Sequence, residues 1–216
     1  HLRIQALKSG FALKETAQLA FAADDLLGDT LHYAFDADWG FLTSCPTNTG
    51  TGMRASTMLH LPALTWTGEM AKVSQAIGKL GLTIRGLYGE GSEAQGDLFQ
   101  LSNQITLGRT EKEILEAMQA VTAQMAGWER KARQALHTAD RVALEDRLLR
   151  SLGLMERARR MSAKEFMQRW SCVRMASCMS LLPLSLEMLD RLLVTAQPAS
   201  LQQAAGEELG GEQRDQ

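Results

Sequence analysis

The sequence predicts an α+β fold, a mixed α and β part followed by an all-helical part. Three observations carry this. The stretch "RASTMLHL", residues 54–61, alternates with the period of a strand: Arg54, Ser56, Met58 and His60 fall on one face, and Ala55, Thr57, Leu59 and Leu61 on the other. Thr110 and Glu113 form a T-x-x-E capping box ahead of a helix expected to run to about Ala139. From 140 to 205 there is no convincing strand. Instead Leu144, Leu148, Leu152 and Met155, and later Leu186, Leu189, Leu193 and Ala196, recur at helical spacing. The boundary falls near 135–140, giving an expected first domain over 1–136 and a helical domain over 137–216.

The other elements follow in order. "HLRIQAL" at the start reads as a short strand. After the Ser9-Gly10 break, Leu13, Ala17, Ala20, Phe21, Leu27, Leu31 and Ala34 recur at near-helical spacing and predict an amphipathic helix. "GFLTS" reads as a strand entering a turn around Pro46, Asn48, Gly50 and Gly52. A helix is expected from about Thr67 to Leu80, ended by Gly81. "LTIRG" is a strand, "GLYGEGSEAQG" a glycine-rich loop, and "DLFQLSNQITL" a return to the sheet. The tail "GEELGGEQRDQ" is polar and expected to fray.

Composition narrows the function. The formal net charge of -2 supplies no global basic field for nucleic acid or anionic membrane. No apolar run approaches the roughly 18 residues of a membrane-spanning helix. The three cysteines, Cys45, Cys172 and Cys178, are odd in number and lack metal-ligand spacing, which suits a reducing compartment better than a disulfide framework. Because the chain starts at His1 in what reads as mid-strand, a fragment or processed product is expected, and location is not argued from the missing signal peptide.

Arg3, Arg54 and Arg85 each sit at a strand end or beside a glycine-rich turn. A guanidinium presents forked donors that match phosphate oxygens, and several converging on one cleft would bind a polyphosphate. No G-x-x-x-x-G-K-[ST] occurs, so a Walker-type site is not expected here. Taken singly, each arginine also fits a solvated surface residue. The loop from Arg85 to Gly96 carries Glu90 and Glu93, and its glycines would let backbone amides approach phosphates. Pattern alone fits a plain hairpin loop equally. Cys45 by itself reads as structural, since no base or CxxC partner is near it in sequence. Cys172, Met175, Cys178 and Met179 read as helix-packing residues. His32, His60 and His137 show no triad logic.

Four segments, "HLRIQAL", "LTSCPTNTGTGMRASTMLHLPAL", "RGLYGEGSEAQGDLFQLSNQITLG" and "LEDRLLRSLG", together resemble the ATP:guanido phosphotransferase family. The T-x-C-P-[ST]-N-x-G-T-G-x-R-A segment and the S-N-x-x-x-L-G pattern at Ser102, Asn103, Leu107 and Gly108 carry the likeness. The wording RGxYGEGSEA and the helical end are similar to its bacterial protein-arginine kinase branch. The resemblance implies an antiparallel sheet flanked by helices, ATP with Mg²⁺ bound alongside the nucleotide, and no separate protein-held metal. It implies Cys45 beside a substrate guanidinium and Glu90 pairing with it. It implies Arg3, Arg54 and Arg85 on ATP phosphates, within nucleotide-contacting runs Arg54, Ala55, Ser56, Thr57 and Met58, and Arg85, Gly86, Leu87, Tyr88, Gly89 and Glu90. Arg214 and Asp215 match the start of an R-D-x-x-R-A phosphoarginine motif. An N-E-x-D carboxylate segment and an S-x-R-x-R strand that the family places before H-L-R are not in this sequence, so a chain inactive on its own is expected. Implied partners are proteins with exposed arginine, an activator protein, a Clp-type protease and a second copy in a homodimer, in the cytoplasm, with no nucleic acid and no membrane. A phosphagen kinase acting on a free guanidino compound, or a non-catalytic phosphoarginine-binding module, are the alternatives.

Overall fold

The computed structural model describes residues 2–86, 94–206 and 210. Its fold is α+β, with small antiparallel sheets and a largely helical second half. The chain divides into two compact units, the first made of His1–Leu59, Met70–Arg85 and Phe99–Gly127, the second of His60–Glu69, Gly86–Leu98 and Trp128–Gln216.

The first unit opens with α1 (Leu13–Gly28), which buries Leu13 and Ala17. It continues through a hairpin of β1 (Phe35–Asp36) and β2 (Gly40–Phe41). β3 (Ser56–His60), α2 (Pro62–Trp66), α3 (Met70–Gly78), β4 (Leu82–Gly86), β5 (Leu98–Asn103) and α4 (Glu111–Ala139) follow in chain order, α2 and the end of α4 belonging to the second unit. The sheet order is β3-β5-β4. Asn103 N–H donates to Ala55 O at one end of the β3–β5 pair, and Leu61 N–H donates to Asp97 O at the other, so the two strands are antiparallel. Ala55, Val73, Ile77, Leu82, Leu101, Ile114, Met118 and Met125 form the core of this unit. The capping box is reciprocal: Thr110 N–H donates to Glu113 Oε2 at 2.8 Å, and Glu113 N–H donates to Thr110 Oγ1 at 3.2 Å. The Thr110 backbone N–H and hydroxyl hold the Glu113 carboxyl below the usual range.

Several elements differ from the sequence expectation. Residues 2–9 form no strand, and Leu2 and Leu7 are exposed. Alternation yields a strand only when a neighbour accepts its backbone hydrogen bonds, and no described strand does so here. α1 stops at Gly28, leaving Leu31 exposed. "GFLTS" contributes only Gly40–Phe41. The helix expected from Thr67 to Leu80 is present as α3, shorter at both ends; the short α2 before it was not expected, and Gly68 between them, at φ +71, adopts the left-handed conformation that ends α2 and delays α3 to Met70.

The second unit holds α2, the end of α4, α5 (Arg141–Arg157), α6 (Ala163–Cys178), α7 (Leu186–Thr195) and α8 (Pro198–Ala205). Asp140, Ser162 and Ser185 cap α5, α6 and α7, each accepting a backbone N–H in the first turn. α6 is the central helix. Its Trp170 is fully buried with Met167 and Leu98, and the indole N–H donates to Leu189 O at 2.8 Å. Cys172 and Met175 are buried, in line with their reading as packing residues.

This unit also buries charge. Glu129, 3% exposed, accepts the Ala63 and Leu64 N–H groups at the start of α2 and pairs with Arg133 at 2.6 Å. His60, partly buried, lies edge-on to Trp170 and touches Ser171 Oγ through Nε2 at 2.8 Å and Arg174 Nη1 through Nδ1 at 3.3 Å. Burial, with the Arg174 and Arg133 charges, pushes the His60 pKa well below the ordinary 6.5. Burial pushes the Asp97 carboxyl up, opposed by Ser171 and Arg147.

The sign of the pH dependence follows. His60 is neutral when folded, whereas the unfolded imidazole takes a proton at about pH 6.5. Its contribution to stability is therefore fully present above that pH and is lost as pH falls towards the folded value. Asp97 acts oppositely at lower pH: above about 3.8 the folded state keeps a proton the unfolded state has released, so that part of the stability falls as pH rises. Urea unfolding between pH 7.5 and 5 should show declining stability, and His60→Gln should flatten this decline. An unchanged slope in that variant would remove His60 as its source.

Candidate functional site

The candidate residues that the structure describes lie mainly on the first unit. Cys45 heads a 3-10 turn, Pro46–Asn48. Thr43 Oγ1 donates to Cys45 O at 2.7 Å, and Asn48 N–H donates to the same oxygen at 2.9 Å. Thus the backbone of the turn is fixed while the thiol is exposed. Cys45 Sγ lies 3.0 Å from Thr47 Oγ1. The Thr47 hydroxyl, then the Thr47 backbone N–H, and to a smaller extent the Arg54 charge pull the thiol pKa down. No base lies near Cys45 in the sequence. A hydroxyl two residues on does part of that work by solvating the thiolate.

The turn is clamped from behind. Thr106, 6% exposed, donates through Oγ1 to Thr47 O at 3.0 Å and to Thr49 O at 2.7 Å, and Thr51 N–H donates back to Thr106 O. Gly50 sits at φ +107, and a Cβ there would stand 2.3 Å from Thr106 O, so only glycine allows the approach. Asn103, 3% exposed, uses its whole amide: Oδ1 accepts Ala55 N–H at 2.8 Å, and Nδ2 donates to Met53 O and Ile105 O at 3.1 and 3.2 Å. The S-N-x-x-x-L-G pattern was visible in the sequence, but this stapling role of Asn103 was not, and Thr106 was missed altogether.

β3 then presents its two faces as expected. Ala55 is buried, and Thr57 Oγ1 meets Thr122 Oγ1 at 2.9 Å on the inward side. Arg54, Ser56 and Met58 are exposed on the other side. Gln100 of β5 joins that face, donating to Ser56 Oγ at 3.1 Å. β4 neighbours β5 in the sheet, and Gln104 N–H donates to Gly81 O just beyond the ends of the two strands. Arg85 is half-buried and Gly86 is buried. One sheet face therefore carries Ser56, Met58 and Gln100, with exposed Arg54 just ahead of β3 and Arg85 on β4 of the same sheet. Two guanidiniums at such a sheet, with hydroxyl and amide groups beside them, are a donor set suited to a polyphosphate.

Arg3 is exposed on the strandless segment 2–9. Leu87, Tyr88, Gly89, Glu90, Arg214 and Asp215 lie outside the described residues. Among the described residues, no group of three or more His, Cys, Asp or Glu could hold a metal ion, and no helix is long and apolar enough to cross a membrane. A shallow groove of about 350 Å³ in the first unit, lined by Phe35, Trp39, Phe41, Thr51, Arg109 and Glu111 among others, includes none of the expected site residues.

Comparison with known proteins gives a consistent picture. Residues 1–132 match the ATP:guanido phosphotransferase, C-terminal catalytic domain, and residues 141–216 match the protein-arginine kinase McsB C-terminal domain. The protein-arginine kinase of Brevibacillus brevis is 50% identical over 217 residues, covering 100% of this chain and 61% of the relative. That of Moorella thermoacetica is 50% identical over 216 residues, covering 100% of this chain and 62% of the relative. The chain thus spans about three-fifths of the length of these relatives. The duplicated taurocyamine kinase of Schistosoma mansoni with bound transition state analog components is similar in structure, with a TM-score of 0.50, 30% identity, and coverage of 55% of this chain and 16% of that one.

The exposed, assisted thiol generates a test. Alkylation of Cys45 by iodoacetamide should follow a thiolate titration shifted downward from that of an unassisted cysteine. Thr47→Val removes the hydroxyl and should move that midpoint upward. Mass spectrometry of the modified peptide separates Cys45 from buried Cys172. An unshifted midpoint in Thr47→Val would refute the assistance.

Proposed function

The chain belongs to the ATP:guanido phosphotransferase family, and from that premise we propose that it serves a protein-arginine kinase, transferring the γ-phosphoryl group of ATP to the guanidinium of arginine side chains in proteins. The observation that carries this reading is the sheet that presents Ser56, Met58 and Gln100, with Arg54 just ahead of β3 and Arg85 on β4, next in sequence to a turn that exposes a thiol of lowered pKa.

A protonated guanidinium is a poor nucleophile until one nitrogen is freed and aimed. In the proposed reaction Glu90 grips the guanidinium and accepts its proton. The freed nitrogen forms the N–P bond while the bond from the γ-phosphorus to the bridging oxygen breaks, and ADP leaves. Cys45, as a thiolate, offsets the guanidinium charge from the other side. Arg54, Arg85 and Arg3 neutralise phosphate oxygens as charge builds on the transferring group. Ala55 to Met58 and Gly86 to Glu90 would follow the nucleotide. Mg²⁺ bound with ATP would supply further charge neutralisation.

We assign the catalytic role to a domain over 1–136 and protein docking to a helical domain over 137–216, with Arg214 and Asp215 on phosphoarginine. The match of residues 141–216 to a domain of protein-arginine kinases favours protein over a free guanidino compound as acceptor. An activator protein, a Clp-type protease, a homodimer and a cytoplasmic setting belong to the same reading.

The full gene product, incubated with γ-labelled ATP and an arginine-rich protein, should give acid-labile, base-stable label, and millimolar free arginine should not compete. Glu90→Gln should lower kcat by about 10²–10³ while ATP affinity stays nearly unchanged, whereas Arg85→Ala should weaken ATP binding as well. Efficient labelling of free arginine would move the assignment to phosphagen kinases. Equal loss of ATP affinity in both variants would reverse the roles of Glu90 and Arg85.

A further inference from the structure

Arg54 lies just ahead of β3, and one residue sets its backbone from both sides. A peptide group is planar, so the direction of a side chain follows from the two peptide planes that meet at its Cα. For Arg54 the plane before carries Met53 O, and the plane after carries Ala55 N–H. Asn103 Nδ2 donates to Met53 O at 3.1 Å, and Asn103 Oδ1 accepts Ala55 N–H at 2.8 Å. The two ends of one amide therefore hold both planes, and with them φ and ψ of Arg54, while Arg54 itself stays exposed.

The same device recurs at Thr47, whose planes carry Pro46 O and Thr47 O. Pro46 O accepts Thr49 N–H at 3.2 Å inside the 3-10 turn, and Thr47 O accepts the Thr106 hydroxyl at 3.0 Å. Thr106 Oγ1 also reaches Thr49 O at 2.7 Å. Thr47 Oγ1 is thereby held 3.0 Å from Cys45 Sγ. The two holding residues are themselves linked. Asn103 Nδ2 donates to Ile105 O at 3.2 Å, the carbonyl of the plane that leads into Thr106. Both side chains are buried, and a buried amide or hydroxyl costs stability unless its bonds are made. Among the described residues, every partner of these two side chains lies beside Arg54, in the turn of Thr47, or on the link between them.

We infer that Asn103 and Thr106 are positioning residues for phosphoryl transfer that divide the site between them, Asn103 aiming Arg54 on the phosphate side and Thr106 holding Thr47 against the Cys45 thiol on the acceptor side. This rests on the roles proposed for Arg54 and Cys45. The division has a direction. The Thr106 side chain touches neither Met53 nor Ala55, so its loss leaves the aim of Arg54 intact. Asn103 braces Ile105 as well, so its loss disturbs both sides. A side chain that only supported the fold would lower stability without separating ATP affinity from thiol chemistry.

The full gene product provides the comparison. Thr106→Val keeps the shape and removes the hydroxyl. It should move the pH midpoint of Cys45 alkylation by iodoacetamide upward and lower kcat for protein-arginine phosphorylation about 10-fold, with KM and Kd for ATP unchanged. Thr106→Ser restores the hydroxyl and should recover both quantities. Asn103→Asp keeps an acceptor for Ala55 N–H but has no amide to give Met53 O or Ile105 O. It should raise the Kd for ATP about 10-fold or more, with a smaller upward shift at Cys45. An unmoved Cys45 midpoint in Thr106→Val, an unmoved ATP affinity in Asn103→Asp, or an ATP affinity that falls equally in both variants would overturn the inference. Amide hydrogen exchange of the unaltered protein needs neither variant nor catalysis: the Ala55 amide should exchange more slowly than those of the exposed segment 2–9. Equal exchange would overturn the hold on Arg54. The thiol and exchange readouts stand even if the unaltered protein transfers no phosphoryl group, a result that would refute the proposed function alone.

Discussion

The first unit depends on the side-chain amide of Asn103. Its oxygen and nitrogen reach Ala55 N–H, Met53 O and Ile105 O, closing contacts across 48 and 50 residues of chain. The segment from Gly50 to Ala55 is not regular structure, so its buried backbone groups have no ladder to satisfy them. One amide supplies two of the missing bonds there and a third to Ile105 O, and the Thr106 hydroxyl is shared between Thr47 O and Thr49 O in the turn just before. The result is a turn whose backbone is specified by side chains rather than by secondary structure. That lets Cys45 stand exposed on a rigid support and lets Arg54 leave the turn in register with β3.

The second unit meets a different demand. Glu129, Arg133, His60, Arg174 and Asp97 are all withdrawn from full solvation. Such groups stabilise only when paired and hydrogen-bonded, because their desolvation offsets much of the Coulomb attraction. Glu129 satisfies this with four donors' worth of lone pairs, two of them spent on the start of α2. A helix start needs acceptors for its free N–H groups, and a carboxylate also matches the positive end of the helix dipole. The arrangement makes α2, although only five residues long, a fixed element rather than a fraying turn.

What the sequence revealed tracks the range of the interactions. The capping box of α4 was legible because Thr110 and Glu113 answer each other three residues apart. The faces of β3 were legible because alternation is local, and the leucine stripes of α5 and α7 for the same reason. The strand expected over the first residues failed because a strand needs a partner that no local pattern supplies. The helix expected over 67–80 formed as Met70–Gly78, its start displaced because the left-handed Gly68 falls inside the expected first turn. His60 looked isolated because its partners Ser171 and Arg174 lie 111 and 114 residues away. The thiol of Cys45 looked inert because a hydroxyl that lowers a pKa is not a base and leaves no motif. Within the candidate site, residue identities came from a long shared segment, whereas the groups that hold them, Asn103 and Thr106, could be assigned only once the chain was folded.

On the proposed reading, these features answer one electrostatic problem. Arginines that bind polyphosphate repel the guanidinium that must approach it. Two like charges 4 Å apart cost about 4 kcal/mol at an effective dielectric near 20, a penalty that several arginines would multiply. Anionic groups beside the acceptor have to offset this without neutralising the arginines themselves. A carboxylate at Glu90 is one such group. A thiolate at Cys45 is a second, and its lowered pKa has the required direction, because Thr47 stabilises the anion by hydrogen bonding while Arg54 adds only a smaller Coulomb pull. Had Arg54 been the main cause, thiolate and guanidinium would have formed a pair and Arg54 would be diverted from phosphate. A local hydroxyl gives the negative charge while leaving the arginine available, which explains why a turn built around a cysteine carries threonine two residues later and its arginine just ahead of the strand beyond.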